Sequence, residues 1–181
     1  MANILNIHVK ILTEPTKFTV EQMVRATTRM YDTIGVTVRL VSTETLDIGQ
    51  PELAYLNTID TGGCKLSGRP AEEVIALSDF RNDADSKDIV LYICRTVKSD
   101  DGPLKGCGGA WPAGRPMAVI AKSAFRFTMA HEIGHVLGLK HKDNDLRLMT
   151  GNGTDIFNNP PPEPTFGEGE IETILESDLI R

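Results

Sequence analysis

The segment His131-Glu132-Ile133-Gly134-His135-Val136-Leu137-Gly138-Leu139-Lys140-His141 holds three of the four histidines in a chain of 181 residues. With this chain's own residue frequencies, His-Glu-x-x-His-x-x-Gly-x-x-His arises by chance at roughly 10⁻⁵. Residues four apart on a helix differ by only about 40° in azimuth and ~6 Å in rise, so His131 and His135 can face one ion. An unbroken helix would carry His141 ~9 Å further along the axis and about 120° round, too far for a Zn–N bond of ~2.1 Å. The helix must therefore end between them, and Gly138 is the residue able to take the left-handed conformation that turns the chain back.

Three neutral imidazoles leave a fourth zinc position open to water, which separates a catalytic site from a closed structural one. Zn²⁺ lowers the pKa of such a water to around 7, and Glu132, beside His131, is placed to take its proton and later hand it to a leaving amine. Two other readings use the same residues. One is a metallohydrolase with two histidine ligands and a third from Glu168, Glu170, Glu172 or Glu176; the other is a non-catalytic zinc-dependent binding module. Glu132 argues against the module, because a carboxylate that does not bind the metal has no evident structural reason to stand there.

The rest of the chain supplies a setting for this helix. Leu5, Ile7, Val9 and Ile11 alternate with polar residues, which predicts a strand with one buried face and leaves His8 exposed on the other. Thr19-Val20-Glu21-Gln22 reads as a capping box opening a helix that Gly35 stops. Val36, Val38 and Leu40 give a second strand; residues 42 to 66 read as loop with at most one short strand, and a short helix is expected from Pro70 to about Leu77. The apolar run Ile89 to Cys94 predicts a central strand buried on both faces, and Met117 to Ala121 the next one. Ser123 is the expected cap of the metal-binding helix, and Ile171, Ile174, Leu175 and Leu179 suit a terminal helix.

This pattern resembles the metzincin metallopeptidases, whose motif is followed by a methionine turn. Leu148-Met149-Thr150 supplies a fitting methionine, and the resemblance implies that Met149 forms an apolar floor beneath the metal without ligating it. It also implies an α+β fold, with a mixed, mostly parallel twisted sheet, long helices and a zinc cleft above a small helical C-terminal part. Residues 1–181 would form a single catalytic domain, divided into an N-terminal part, 1–138, and a C-terminal part, 139–181. The family pairs an extended substrate with an edge strand, which the resemblance puts at Gly108, Gly109, Ala110 and Trp111. Zinc-dependent endopeptidase activity on protein or peptide substrates is the implied function. Lys142 matches no one subfamily, and no tyrosine follows Met149 closely enough to act as an extra ligand.

A net charge of −6, from 25 acidic and 19 basic residues, disfavours nucleic acid as a partner. No run reaches the ~18 apolar residues of a membrane span, and no signal peptide or propeptide precedes the first strand, so a secreted mature fragment and a cytoplasmic full-length enzyme are both open expectations. Cys64, Cys94 and Cys107 leave at least one thiol unpaired and allow a Cys64–Cys107 bridge. Calcium is kept open as a second ion at Asp83, Asp85 and Asp88, although the stretch lacks the glycine and distal glutamate of a calcium loop.

Overall fold

The computed structural model describes residues 3–61, 69–157 and 163–181. Strand β1 (Asn3–Ile11) runs parallel to β2 (Val36–Thr45) on one side and to β4 (Ile89–Cys94) on the other. Strand β8 (Met117–Ala121) adds parallel to β4, and the two-residue β7 (Gly106–Cys107) closes the order β2-β1-β4-β8-β7 as an antiparallel edge. The mixed, mostly parallel sheet is thus as expected. The short strand allowed within residues 42 to 66 is β3 (Thr58–Asp60), but the second sheet it forms with β5 (Thr96–Ser99) and β6 (Gly102–Leu104) was not anticipated, nor was helix α2 (Glu52–Leu56), because short elements carry too few residues to show a period.

Both faces of β1 are covered, as is usual in a mostly parallel sheet, and the expectation of an exposed His8 is corrected: His8 and Lys10 are buried with 0% and 1% exposure. They are tolerated there because each has partners. His8 Nδ1 lies 2.8 Å from Ser42 Oγ and Nε2 lies 3.3 Å from Asp88 Oδ2, while the Lys10 ammonium is bonded to Glu44. Asp88 also accepts from Asn6, Arg181 and the backbone N–H of Asp85. Burial would raise the Asp88 pKa, but the hydrogen bonds of Asp85, Asn6 and His8, with the charge of Arg181, hold it below its ordinary value. Asp88 is thereby committed to the fold, and Asp83, Asp85 and Asp88 do not gather into a cation site; the calcium expectation finds no support.

Helix α1 (Val20–Asp32) begins with the expected capping box, Gln22 N–H donating to Thr19 Oγ1 and Thr19 N–H to Gln22 Oε1, and Gly35 beyond its end has φ +74°. Alternate residues of β4 feed two cores. Ile89, Leu91 and Ile93 face α1 and α4 (Thr128–Val136), whereas Val90, Tyr92 and Cys94 face α2, α3 (Glu72–Leu77) and the small sheet. The first core continues into Leu148, Met149, Phe157, Phe166, Ile174 and Leu179, so it spans residues from both sides of position 138. Helix α5 (Glu168–Leu175) follows, and mutual backbone bonds of 2.8 and 3.0 Å between Ile4 and Arg181 return the C-terminus to β1. The long helices expected are short, α1 being the longest described at 13 residues. No described helix is long and apolar enough to cross a membrane.

Candidate metal centre

Helix α4 is built to hold two side chains at one point and then stop. It starts at Thr128 rather than near Ser123; Thr128 Oγ1 accepts the Phe125 N–H, and Ser123 instead receives Lys105 Nζ at 3.1 Å. At its C-terminal end Leu139 N–H donates to Gly134 O at 2.9 Å and Gly138 N–H to His135 O at 3.0 Å, with Gly138 at φ +98°. This pair of bonds is a Schellman motif, which glycine at the left-handed position makes strain-free. The reversal brings His141 Nε2 to 3.2 Å from His131 Nε2 and 3.1 Å from His135 Nε2, and the last two nitrogens are 3.1 Å apart.

The orientation of the rings is set from behind. His131 Nδ1 donates to Leu148 O at 2.7 Å and His135 Nδ1 to Leu139 O at 2.9 Å, so both rings turn Nε2 lone pairs towards the same point. Lone pairs this close need a cation between them, and three nitrogens of a tetrahedral zinc at about 2.05 Å stand roughly 3.3 Å from one another. The donor set therefore fits zinc. Burial, with the neighbouring His135 charge, lowers the His131 pKa to about 3, and burial lowers that of His135 to about 4 and also depresses His141, so the rings are neutral at pH 7, the form in which an imidazole can hold a metal.

Glu132 lies on the adjoining side of α4, 5% exposed, and burial pushes its carboxyl up to about 8 against the opposing pull of a hydrogen bond from the Gly108 backbone. Gly106 and Gly108 clasp this residue. A Cβ on Gly106 would stand 2.6 Å from Glu132 Cγ, and one on Gly108 would overlap the Glu132 carbonyl oxygen. Of the residues expected at a substrate edge, Gly108, Gly109, Ala110 and Trp111, none lies in a strand: β7 ends at Cys107, and Gly108 and Gly109 are buried, Gly108 against α4. Pro103, Leu104, Lys105 and Gly106 line the cleft instead. That Gly108 serves Glu132 was missed, since only the fold brings this segment to α4.

Met149 is fully buried with its Sδ against Gly134, where a Cβ would come within 2.5 Å of the sulfur. Its carbonyl accepts Lys142 N–H at 2.8 Å, which ties the turn to the segment carrying His141. Among the described residues the His131, His135 and His141 group is the one cluster able to hold a metal. The C-terminal glutamates do not join it: Glu170 accepts the Gly167 N–H at 2.6 Å as part of the α5 cap, and Glu168, Glu172 and Glu176 are exposed. The cleft over the histidines has a volume of about 420 Å³, its far wall running from Thr150 to Asp155, with Thr128 and Thr154 hydroxyls 2.8 Å apart. Residues 158–162, part of the Asn-Pro-rich stretch, lie outside the described residues. Cys107 is disulfide-bonded and Cys94 is a buried free thiol; Cys64, the other half of the expected pair, lies outside the described residues.

No protein-family model matches the sequence, and no curated protein is detectably similar to it. Solved structures do share the fold. Metalloproteinase-II from Bacteroides fragilis superposes with a TM-score of 0.61 at 16% identity over 97% of this chain, which spans 53% of that protein. An archaemetzincin from Methanopyrus kandleri gives 0.59 at 14% identity, covering 96% of this chain and 94% of its own. A zinc-dependent peptidase from Methanocorpusculum labreanum gives 0.56 at 16%, covering 94% and 100%. The class of fold is thus the one these three metal-dependent proteins share.

Proposed function

We propose that the chain is a zinc-dependent endopeptidase of the metzincin type, with His131, His135 and His141 as ligands and Glu132 as general base and acid. The observation that carries this reading is the juxtaposition of three converging Nε2 atoms with a buried carboxylate that bonds no other side chain among the described residues but is aimed by the Gly108 N–H. Zinc bound there would polarise the scissile carbonyl and acidify the attacking water. Glu132 would take the proton from that water and return it to the leaving amine. Beside a dication the carboxyl, neutral at pH 7 when alone, ionises and becomes competent as a base. The Gly108 N–H holds it in one orientation, and the Leu148 and Leu139 carbonyls do the same for His131 and His135. Met149 forms the apolar floor, packed on Gly134.

An extended peptide would lie along Pro103 to Gly106, which lines the cleft and includes the end of β6, the outer strand of its sheet among the described residues. The names of the structural neighbours, a metalloproteinase and a zinc-dependent peptidase among them, support the same reading. Zinc content and turnover of an unselective peptide library, measured on wild type and Glu132→Ala, test it. The variant should keep about one zinc while activity falls by at least ~10²-fold. Zinc loss in the variant contradicts the role of Glu132, and full zinc in an inert wild type leaves the binding-module reading.

A further inference from the structure

The turn Phe125 to Phe127, which leads into α4, separates the catalytic cleft from a second concavity and carries a concentration of positive charge. Half-buried Phe125 lines the cleft, with Lys17 Nζ 4.1 Å and Lys105 Nζ 5.3 Å from its ring centre. The next residue, Arg126, lies 5.6 Å from the centre of the Phe18 ring. With Arg25 and Arg29, one helical turn apart on α1, it walls a pocket of about 220 Å³ on the other side of the turn, beside Phe127.

Five cations thus form a band that begins in the cleft and ends in the second pocket, in a chain whose net charge is −6. Glu163 pairs with Arg29, and Glu21 interacts with Arg25. Among the described residues no carboxylate lies within ion-pair distance of Lys17, Lys105 or Arg126. The aromatic rings hold these long side chains in place, which reduces the entropy lost when they meet an anion. We propose that the band binds acidic side chains of an extended peptide whose scissile bond lies in the cleft, so that the chain prefers substrates with Asp or Glu clustered on one side of that bond. The inference rests on the peptidase reading for its choice of a peptide over another polyanion, since the band opens into the cleft that would hold the scissile bond.

Binding is measured by fluorescence anisotropy on the zinc-loaded Glu132→Gln chain, with a labelled peptide carrying a run of glutamates on either side of an apolar centre and its glutamine counterpart. One glutamate peptide should bind about 10-fold tighter than its counterpart at low salt, the sum expected of a few exposed ion pairs, and the gap should shrink as salt screens it. Arg25→Gln with Arg126→Gln should narrow the gap to about a third, and adding Lys17→Gln and Lys105→Gln should abolish it. Equal affinity for glutamate and glutamine peptides, a gap undiminished in the doubly neutralised chain or surviving in the fourfold one, or tighter binding of a single-stranded oligonucleotide than of the glutamate peptide would each overturn the proposal. Because binding is read without turnover, an inert wild type would leave this result standing. Cleavage of both peptides at equal KM would instead sink the band and spare the peptidase.

Discussion

Burial moves Glu132 and its neighbouring histidines in opposite directions on the pH scale, and each shift has a consequence for the metal-free chain. Glu132 keeps its proton up to about pH 8 when folded, against a value of 4.5 unfolded, so the native state holds a proton that the unfolded chain has released. Stability from this group is therefore full below about pH 4.5 and is lost as pH rises through 8. His131 and His135 refuse protons until about pH 3 and 4, whereas the unfolded chain takes them up near 6.5, so their contribution is lost as pH falls through that range. The metal-free protein should be most stable near pH 6.5. Glu132→Gln should remove the alkaline limb, gaining on wild type by up to about 1.4 kcal/mol per pH unit between pH 5 and 8. Melting curves of both proteins with chelator across that range check this, and a pH-independent difference would contradict a proton buried at Glu132. At this scale the motif was legible because its spacing is local. The partners of Glu132 and of His8 were not, since Gly108 and Asp88 reach them only through the sheet.

Helix α4 shows why some elements could be read and others misplaced. Its end is set by one glycine with a left-handed backbone, a local requirement visible in the chain, whereas its start has no side-chain cap on Phe127 and so left no signal to outweigh Ser123. The burial of both faces of β1 was likewise hidden, because paired polar residues on its second face imitate an exposed surface. Two substitutions test the architecture around α4. Gly138→Val places a β-branched residue at φ +98°, so the reversal should be strained and His141 displaced, weakening zinc binding although every ligand is intact. Titration against a competing chelator should show at least a ~10-fold loss of affinity, and wild-type affinity would contradict the role of the turn. Gly108→Ala meets the Glu132 backbone, which cannot rotate away. The segment must shift and the hydrogen bond to the carboxylate be lost, so the variant should retain zinc while kcat falls about 10-fold or more, with a shifted pH profile. Unchanged kcat would separate Gly108 from the base.

Across the whole molecule, the candidate ligands connect regions of different anchorage. His131 and His135 stand on a helix whose faces are buried in the first core, while Lys140 to Leu146, which includes His141, is exposed. The bonds that tie that segment to the chain beyond it sit on exposed residues: Lys142 N–H to Met149 O, Gly151 N–H to Lys142 O, the Thr165 N–H and hydroxyl to Leu146 O, and the Thr150 hydroxyl and Asn152 amide to Asp145 Oδ1. A ligand that binds only the native state stabilises whatever it connects, and regions with few buried contacts open below the global unfolding free energy. Zinc should therefore act chiefly as a clamp on residues 140–151. Chelation is expected to accelerate amide exchange at Lys142 and Gly151 while leaving the amides of β1 and β4, buried on both sides by the two cores, close to their loaded rates. His141→Ala in the presence of zinc should show the same local pattern, because it removes the one ligand carried by the exposed segment. Equal loss of protection in β4 would mean that the metal supports the entire fold rather than this loop, and an unchanged rate at Lys142 would mean that His141 does not anchor the segment through zinc.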